Sequence, residues 1–239
     1  MSTPPIATEA STRLARVRDR IAGACRQAGR GPDEVQLIAA SKYADAEGIR
    51  SLANAGQRAF AENRVGDARA KIATLAAPVP PRLEWHLIGH LQSNKARVAA
   101  ETFAMVQSVD GLRLAETLSR KAQEAGNVLP VLLQVNVDDD PHKYGFHTSQ
   151  VIAEYAAVRT LPGVRVDGLM TIGAMAGSPE AARPTFAALR ALRERLDALG
   201  VAPPLQHLSM GMSADYEVAI AEGATIVRVG RALFEVDLR

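Results

Sequence analysis

One lysine of this chain stands where an amine could do chemistry. Lys42 closes the apolar run Val35-Gln-Leu-Ile-Ala-Ala-Ser41, in a sequence with 23 arginines and only five lysines. Arginine is the habitual surface cation here, so a lysine ending a buried run stands out. Side chains alternate along a strand, which puts Ile38, Ala40 and Lys42 on one face and Leu37, Ala39 and Ser41 on the other. Burial disfavours an ammonium, and a partly desolvated amine has a lone pair for Schiff-base formation. The alternative is a lysine that snorkels from a strand end into water.

A second set of candidates lies near the other terminus. Leu205-Gln-His-Leu-Ser209 runs through Met210-Gly-Met-Ser213 into the amphipathic stretch Ala214–Glu222, and Ile226-Val-Arg-Val-Gly230 runs into Arg231-Ala-Leu-Phe234. Each passes from strand to helix through glycine and a small or polar residue. Glycine lets backbone approach a ligand, and free amides at a helix start point at an anion. Ser209, Ser213 and the amides near Gly230 and Arg231 are therefore phosphate candidates; two ordinary turns are the bland alternative. Arg228 shares parity with Ile226 and Gly230. If Val227 and Val229 meet helices, Arg228 points the other way, where a guanidinium needs an acceptor. A ligand or the carboxylate of Glu62 would serve, and both stay open.

The elements that must position these groups alternate in type. Eight short apolar runs occur at Val35–Ser41, Arg58–Ala61, Leu83–Gly89, Ala104–Val109, Val131–Val137, Val164–Ile172, Leu205–Ser209 and Thr225–Gly230. Amphipathic stretches separate them, including Ala46–Ala55, Val65–Leu75, Leu112–Ala125, Ser149–Arg159 and Ala181–Leu199. Strands buried on both faces and separated by helices are parallel with crossovers. Eight such units predict an α/β fold, a single (β/α)8 TIM barrel, whose working face is the carboxyl end of the strands; a doubly wound open sheet is the runner-up. Leu14, Val17, Ile21, Cys25 and Ala28 form one stripe of a preceding N-terminal helix, with Ser11 or Thr12 as its cap. We expect a disordered tail over residues 1–8, one barrel domain over 9–239, and a stiff loop at Pro78–Pro81.

Composition narrows the partners. The chain has 239 residues, 47 % hydrophobic and 23 % charged, with a net charge of +2. That is globular, and with no basic run it carries no footprint for nucleic acid or an anionic membrane. A lone cysteine excludes an internal disulfide. With no signal segment and no membrane-length apolar run, a cytoplasmic protein is expected. His86 and His90 lie four apart on a strand and turn, with no third ligand in sight, so no metal site is expected. No glycine-rich nucleotide fingerprint follows the first strand.

A Schiff-base lysine on strand one with phosphate turns after strands seven and eight describes a pyridoxal 5′-phosphate barrel. The wording agrees: Leu37-Ile-Ala-Ala-Ser-Lys42, Phe60-Ala-Glu-Asn63, Trp85-His-Leu-Ile-Gly-His-Leu-Gln-Ser-Asn-Lys95, Val131-Leu-Leu-Gln-Val-Asn136, His142-Lys-Tyr-Gly-Phe146, Gly168-Leu-Met-Thr171, Leu208-Ser-Met-Gly-Met-Ser213 and Ala224-Thr-Ile-Val-Arg-Val-Gly230. On these segments the chain resembles the YggS/PROSC family of pyridoxal phosphate homeostasis proteins. The resemblance implies that Lys42 carries the cofactor, that Ser213, Gly230 and the Arg231 amide hold its phosphate with Ser209 nearby, and that Arg228 meets the pyridine nitrogen. It places Asn63 near the ring oxygen and Lys143 near the mouth. Departures occur at Ser41-Lys-Tyr-Ala-Asp45, Phe60-Ala-Glu-Asn-Arg64 and Val229-Gly-Arg-Ala-Leu-Phe234, where the family has Ser-Lys-Thr-Lys-Pro, Phe-Gly-Glu-Asn-Tyr and Gly-Thr-Ala-Ile-Phe.

The resemblance implies a carrier that binds pyridoxal phosphate and releases it to apoenzymes. A racemase or lyase of alanine-racemase type is the alternative. The sequence ends five residues after Phe234, so no second β-domain of roughly a hundred residues is expected to supply an opposing base. No long apolar stripe is left over, and a monomer is expected.

Overall fold

The eight apolar runs close on themselves. A computed structural model of the protein describes residues 6–75, 83–173, 178–201 and 203–234. Its strands are β1 (Gln36–Ala40), β2 (Ala59–Glu62), β3 (Glu84–Leu87), β4 (Met105–Val109), β5 (Leu129–Gln134), β6 (Val164–Met170), β7 (His207–Ser209) and β8 (Ile226–Val229). They form one closed parallel barrel in chain order. The closing pair, β8 on β1 with Ile38 opposite Arg228, excludes the open sheet. Among the described residues every strand belongs to this barrel.

Helix α1 (Ile6–Gln27) precedes the barrel, and α2 (Ala46–Asn54), α3 (Val65–Leu75), α4 (Ala96–Thr102), α5 (Leu112–Glu124), α6 (Thr148–Arg159), α7 (Arg183–Asp197) and α8 (Tyr216–Ala221) are its crossovers, with a short α9 (Arg231–Phe234) after β8. The expected start of α1 needs correction. Helix α1 starts at Ile6, so Ser11 and Thr12 lie within it; buried Ala10 extends the Leu14–Val17–Ile21 stripe back by a turn. Helix α4 carries no distinct stripe in sequence because it buries only Ala96, Ala99 and Ala100. The tail expected over 1–8 falls on residues 1–5, outside the described residues, and on the first turn of α1. The Pro78–Pro81 loop lies outside them too.

Helix α1 packs on α2, α8 and α9, across the β8–β1 seam. Arg13 Nε donates to the Leu233 carbonyl at 2.9 Å, and Arg30 Nη1 to those of Ile220 and Ala224 at 3.0 and 2.7 Å. Cys25 is fully buried in this interface, and burial pushes its thiol pKa up; it packs as a small hydrophobe.

Alternation decides what the barrel contains. Ile38, Ala59, Ala61, Met105, Leu132, Met170 and Ile226 form an apolar plug inside the strands, while Ala39, Phe60, Val227 and Val229 face the helices. Two residues further toward the carboxyl ends, the inward positions turn polar: Gln107 follows Met105, Gln134 follows Leu132, and Arg228 follows Ile226. The plug therefore makes a floor, and chemistry-bearing groups stand on it.

Candidate functional site

Arg228 points into the barrel, as its valine neighbours predict, and is 4 % exposed. Its Nη1 donates to Ser209 Oγ at 2.7 Å and its Nη2 to the Thr171 carbonyl at 2.8 Å. Ser209 Oγ in turn donates to Gln107 Oε1 at 2.6 Å, and Gln107 Nε2 lies 3.0 Å from His86 Nδ1. One hydrogen-bonded row thus crosses the interior from β8 through β7 and β4 to β3. Desolvation pulls the Arg228 pKa down to about 10, opposed by the charge of Asp215; the group stays cationic at neutral pH. Both of its partners are neutral.

Glu62 is not the acceptor of Arg228. It shares parity with Phe60, which turns it out of the barrel toward α3, where its Oε1 accepts from Lys71 Nζ at 2.6 Å. Ser209 was a phosphate candidate, yet its hydroxyl is fully buried in the floor between Arg228 and Gln107.

Burial, helped by the charge of His207, lowers the His86 pKa from 6.5 to about 4. The folded protein then binds fewer protons than the unfolded chain between these values, so this group's contribution is present above pH 6.5 and is lost as pH falls toward 4. The expected loss is roughly 3 kcal/mol. Urea unfolding at pH 7 and pH 4 measures it; in His86→Phe the difference between the two pH values should shrink by about that amount.

Lys42 stands at the rim, and its burial was overestimated. Strand β1 stops at Ala40, and Ser41–Ala44 is a turn closed by the Ala44 amide on the Ser41 carbonyl at 2.9 Å. Lys42 sits on that turn, exposed, with Nζ 4.6 Å from the centroid of the exposed Tyr43 ring. The desolvation expected of a residue in the wall is therefore absent. The β8 turn comes close to the same place: a Cβ on Gly230 would lie 3.0 Å from the Ala40 carbonyl. The Gly230 amide donates to Ser213 Oγ at 3.2 Å, and Arg231 opens α9 with its side chain exposed. Lys42, Ser213, Gly230 and Arg231 thus share one sector of the rim, above Arg228. Asn63 is half-buried at the end of β2 and borders a cleft of about 420 Å³ that Arg64, Arg69, His90 and Lys95 also line.

Two residues near the site were missed in sequence. Lys71 Nζ also bonds the Ser41 carbonyl at 2.7 Å, and Ser41 Oγ donates to Glu62 Oε1 at 2.6 Å. The peptide immediately before Lys42 is therefore clamped to a buried carboxylate and an α3 ammonium. Lys71 carries the same signal that singled out Lys42, a rare lysine in an arginine-rich chain. Gln107 carries another, a polar residue in the fully buried strand Met105–Val109.

The β5–α6 loop covers the far side of the same rim. Gln134 Nε2 bonds the Tyr144 carbonyl at 2.8 Å, Asn136 holds Asp140, and Lys143 Nζ meets Asp138 at 2.5 Å and the Ile172 carbonyl at 3.1 Å. The Tyr144 ring stacks on His90, 4.0 Å between centroids, and His90 Nδ1 meets Asp110 at 2.9 Å. Among the described residues no three His, Cys, Asp or Glu side chains converge as metal ligands.

The family "Alanine racemase, N-terminal domain" matches residues 13–237. A protein of Aquifex aeolicus named pyridoxal phosphate homeostasis protein is 42 % identical over 94 % of this chain and 97 % of its own length. One of Pseudomonas aeruginosa with that name is 44 % identical over 92 % of this chain and 93 % of its own. The chain belongs to the pyridoxal phosphate homeostasis protein family. Like other members it is built on the alanine-racemase barrel. The structure of PipY from Synechococcus elongatus with pyridoxal phosphate bound superposes with a TM-score of 0.83 at 41 % identity, over 94 % of this chain and 99 % of that one. Alanine racemase of Clostridium difficile, 17 % identical with a TM-score of 0.68, shares the fold over 91 % of this chain and 55 % of its own.

Proposed function

We propose that this family member binds pyridoxal 5′-phosphate reversibly at the β1/β8 rim and takes part in its homeostasis. The observation that carries the reading is the meeting of the Lys42 turn with the Ser213–Gly230 turn above a buried guanidinium whose partners are neutral. An exposed amine, a glycine-lined turn with a hydroxyl, and a cation on the floor fit an aldehyde, a phosphate and a pyridine nitrogen in turn. The relatives' names and the pyridoxal phosphate in the PipY structure support the same ligand.

Bound pyridoxal phosphate supplies an electrophilic aldehyde carbon that a lysine amine attacks reversibly. Lys42 provides that amine, and the clamp on Ser41 fixes where its backbone starts. Ser213 and the amides of Gly230 and Arg231 hold the phosphate. Asn63 lines the ring-oxygen side, and Ser209 supports the floor from below. Arg228 donates to the pyridine nitrogen and has no site to accept a proton. A ring nitrogen held by this donor would stay unprotonated and withdraw electrons less, which suits storage better than carbanion chemistry.

In this reading the protein is a cytoplasmic monomer that passes the cofactor to apoenzymes. Among the described residues no helix is long and apolar enough to cross a membrane. Light scattering tests the monomer, and activation of an apoenzyme by the loaded protein tests transfer.

The deciding experiment is borohydride reduction of the loaded protein followed by peptide mass spectrometry. The pyridoxyl group is expected on Lys42, and Lys42→Ala should lose both the adduct and the yellow colour. An adduct on Lys143 alone, or full colour in Lys42→Ala, would sink the assignment. The shared racemase fold favours a second reading, which rapid α-proton exchange of amino acids, roughly 1–10³ per second, would establish.

A further inference from the structure

The row behind Arg228 has a direction. A serine hydroxyl has one proton and can accept two hydrogen bonds. Ser209 can receive the Arg228 Nη1–H only if its own proton is sent elsewhere, and it goes to Gln107 Oε1 at 2.6 Å. Gln107 can face either its oxygen or its amide group toward Ser209, and the two arrangements differ in consequence. With the amide group there, Ser209 would face two donors and its own proton would lose its acceptor. The Ser209 end therefore settles the choice, and the Gln107 Nε2–H then points at Nδ1 of the buried His86, 3.0 Å away, which accepts it in the Nε2–H tautomer. Every donor in the row therefore points away from Arg228.

Both terminal nitrogens of Arg228 are tied, one to Ser209 and the other to the Thr171 carbonyl. Two anchors fix the plane of a guanidinium. Neither anchor carries charge, so the cation keeps its field for whatever lies above it.

We propose that Gln107, anchored on His86, is a positioning residue: it keeps the Ser209 hydroxyl an acceptor toward Arg228 and so aims the guanidinium at the ring nitrogen of the cofactor. The inference rests on the pyridoxal phosphate reading and adds a residue, buried below the rim, that touches no ligand. Its effect on binding passes through one atom of the ring. Removing that atom from the ligand should remove the effect.

The test compares binding of pyridoxal phosphate with that of its carbocyclic analogue, in which C–H replaces the ring nitrogen. A charge-assisted bond to that nitrogen predicts about a tenfold or greater preference for the natural ligand in the unaltered protein. Gln107→Met conserves volume and removes both hydrogen bonds. It should bring the two affinities within about threefold of each other while leaving the analogue bound as before. Should Gln107→Met not fold, Ser209→Ala, which deletes a single oxygen, carries the same expectation. A preference that survives Gln107→Met, or equal weakening of both ligands, overturns the inference. If the unaltered protein binds neither ligand, the cofactor reading fails, and this inference with it.

Discussion

Replacing Lys71 with methionine is expected to cost about 3 kcal/mol or more of folding stability and to weaken cofactor binding with it. The Glu62 side chain is fully buried, the Lys71 side chain is 17 % exposed, and the two are 2.6 Å apart. Methionine conserves much of the lysine stem but supplies no charge and no donor. Glu62 would then be a buried carboxylate with only Ser41 Oγ to bond, and its Oε2 already lacks a partner among the described residues. Breaking a buried pair from one side costs roughly 3–5 kcal/mol, against a total of about 5–15 for a domain; the partial exposure of Lys71 points to the lower end. The Ser41 carbonyl loses one of its two partners as well, keeping the Ala44 amide, and that carbonyl belongs to the peptide preceding Lys42. Glu62→Gln in the Lys71→Met background should recover a large part of the lost stability, because an amide needs no counter-charge. Urea titrations of the two single variants and the double variant measure the coupling. Simple additivity would mean that the ammonium and carboxylate act independently, contrary to their geometry.

Several features of the site were legible in the sequence because a local rule decides them. Arg228 had to face inward once Val227 and Val229 were assigned to the helices, since a strand offers only two faces. The Gly230 turn had to lie near the end of the first strand once the sheet closed. The rest depends on contacts that periodicity does not encode. Glu62 was a candidate partner for Arg228 because an inward guanidinium needs an acceptor and Glu62 is a carboxylate of the barrel wall. Which side of the wall it faces follows from the fact that β2 puts Phe60 outward. Lys71 reaches Ser41 across a strand-to-helix contact 30 residues apart in sequence. Lys42 was expected to continue the β1 wall, but hydrogen bonding of the strand ends at Ala40 and the chain turns outward. Ser209 was a phosphate candidate because its strand turns into a helix through glycine. Its role in the floor became visible only with Gln107, 102 residues away, at its hydroxyl.

Gly168→Ala is expected to be the most damaging single-methyl addition among positions that support the site. Gly168 lies on β6 opposite His207 of β7, just past a register shift in which Val131 pairs with Val166 and Leu132 with Gly168. At this bulge the two backbones approach until a Cβ on residue 168 would lie 2.1 Å from the His207 carbonyl oxygen and 2.7 Å from its carbon. Both obstacles are backbone, so no side chain can rotate away, and the seam itself must open. Overpacking of a core typically costs 1–3 kcal/mol; a clash with backbone in a closed barrel should reach about 3 kcal/mol or more. The damage would extend to the floor. Three residues on, the Thr171 amide donates to the Ser209 carbonyl at 3.1 Å, and Thr171 and Ser209 supply the two acceptors of Arg228. Widening β6 from β7 pulls those acceptors apart, so a protein that still folds should bind pyridoxal phosphate at least about tenfold more weakly. Gly66→Ala is the control of opposite sign. It lies in α3 with nothing within 4 Å of the added Cβ, and should stabilise by roughly 0.5–1 kcal/mol through helix propensity and a less flexible unfolded chain. Denaturant midpoints that move in opposite directions would show that backbone approach, and no general intolerance of substitution, keeps residue 168 a glycine. A Gly168→Ala midpoint equal to that of the parent would mean that the seam yields freely and that Arg228 is held by other means.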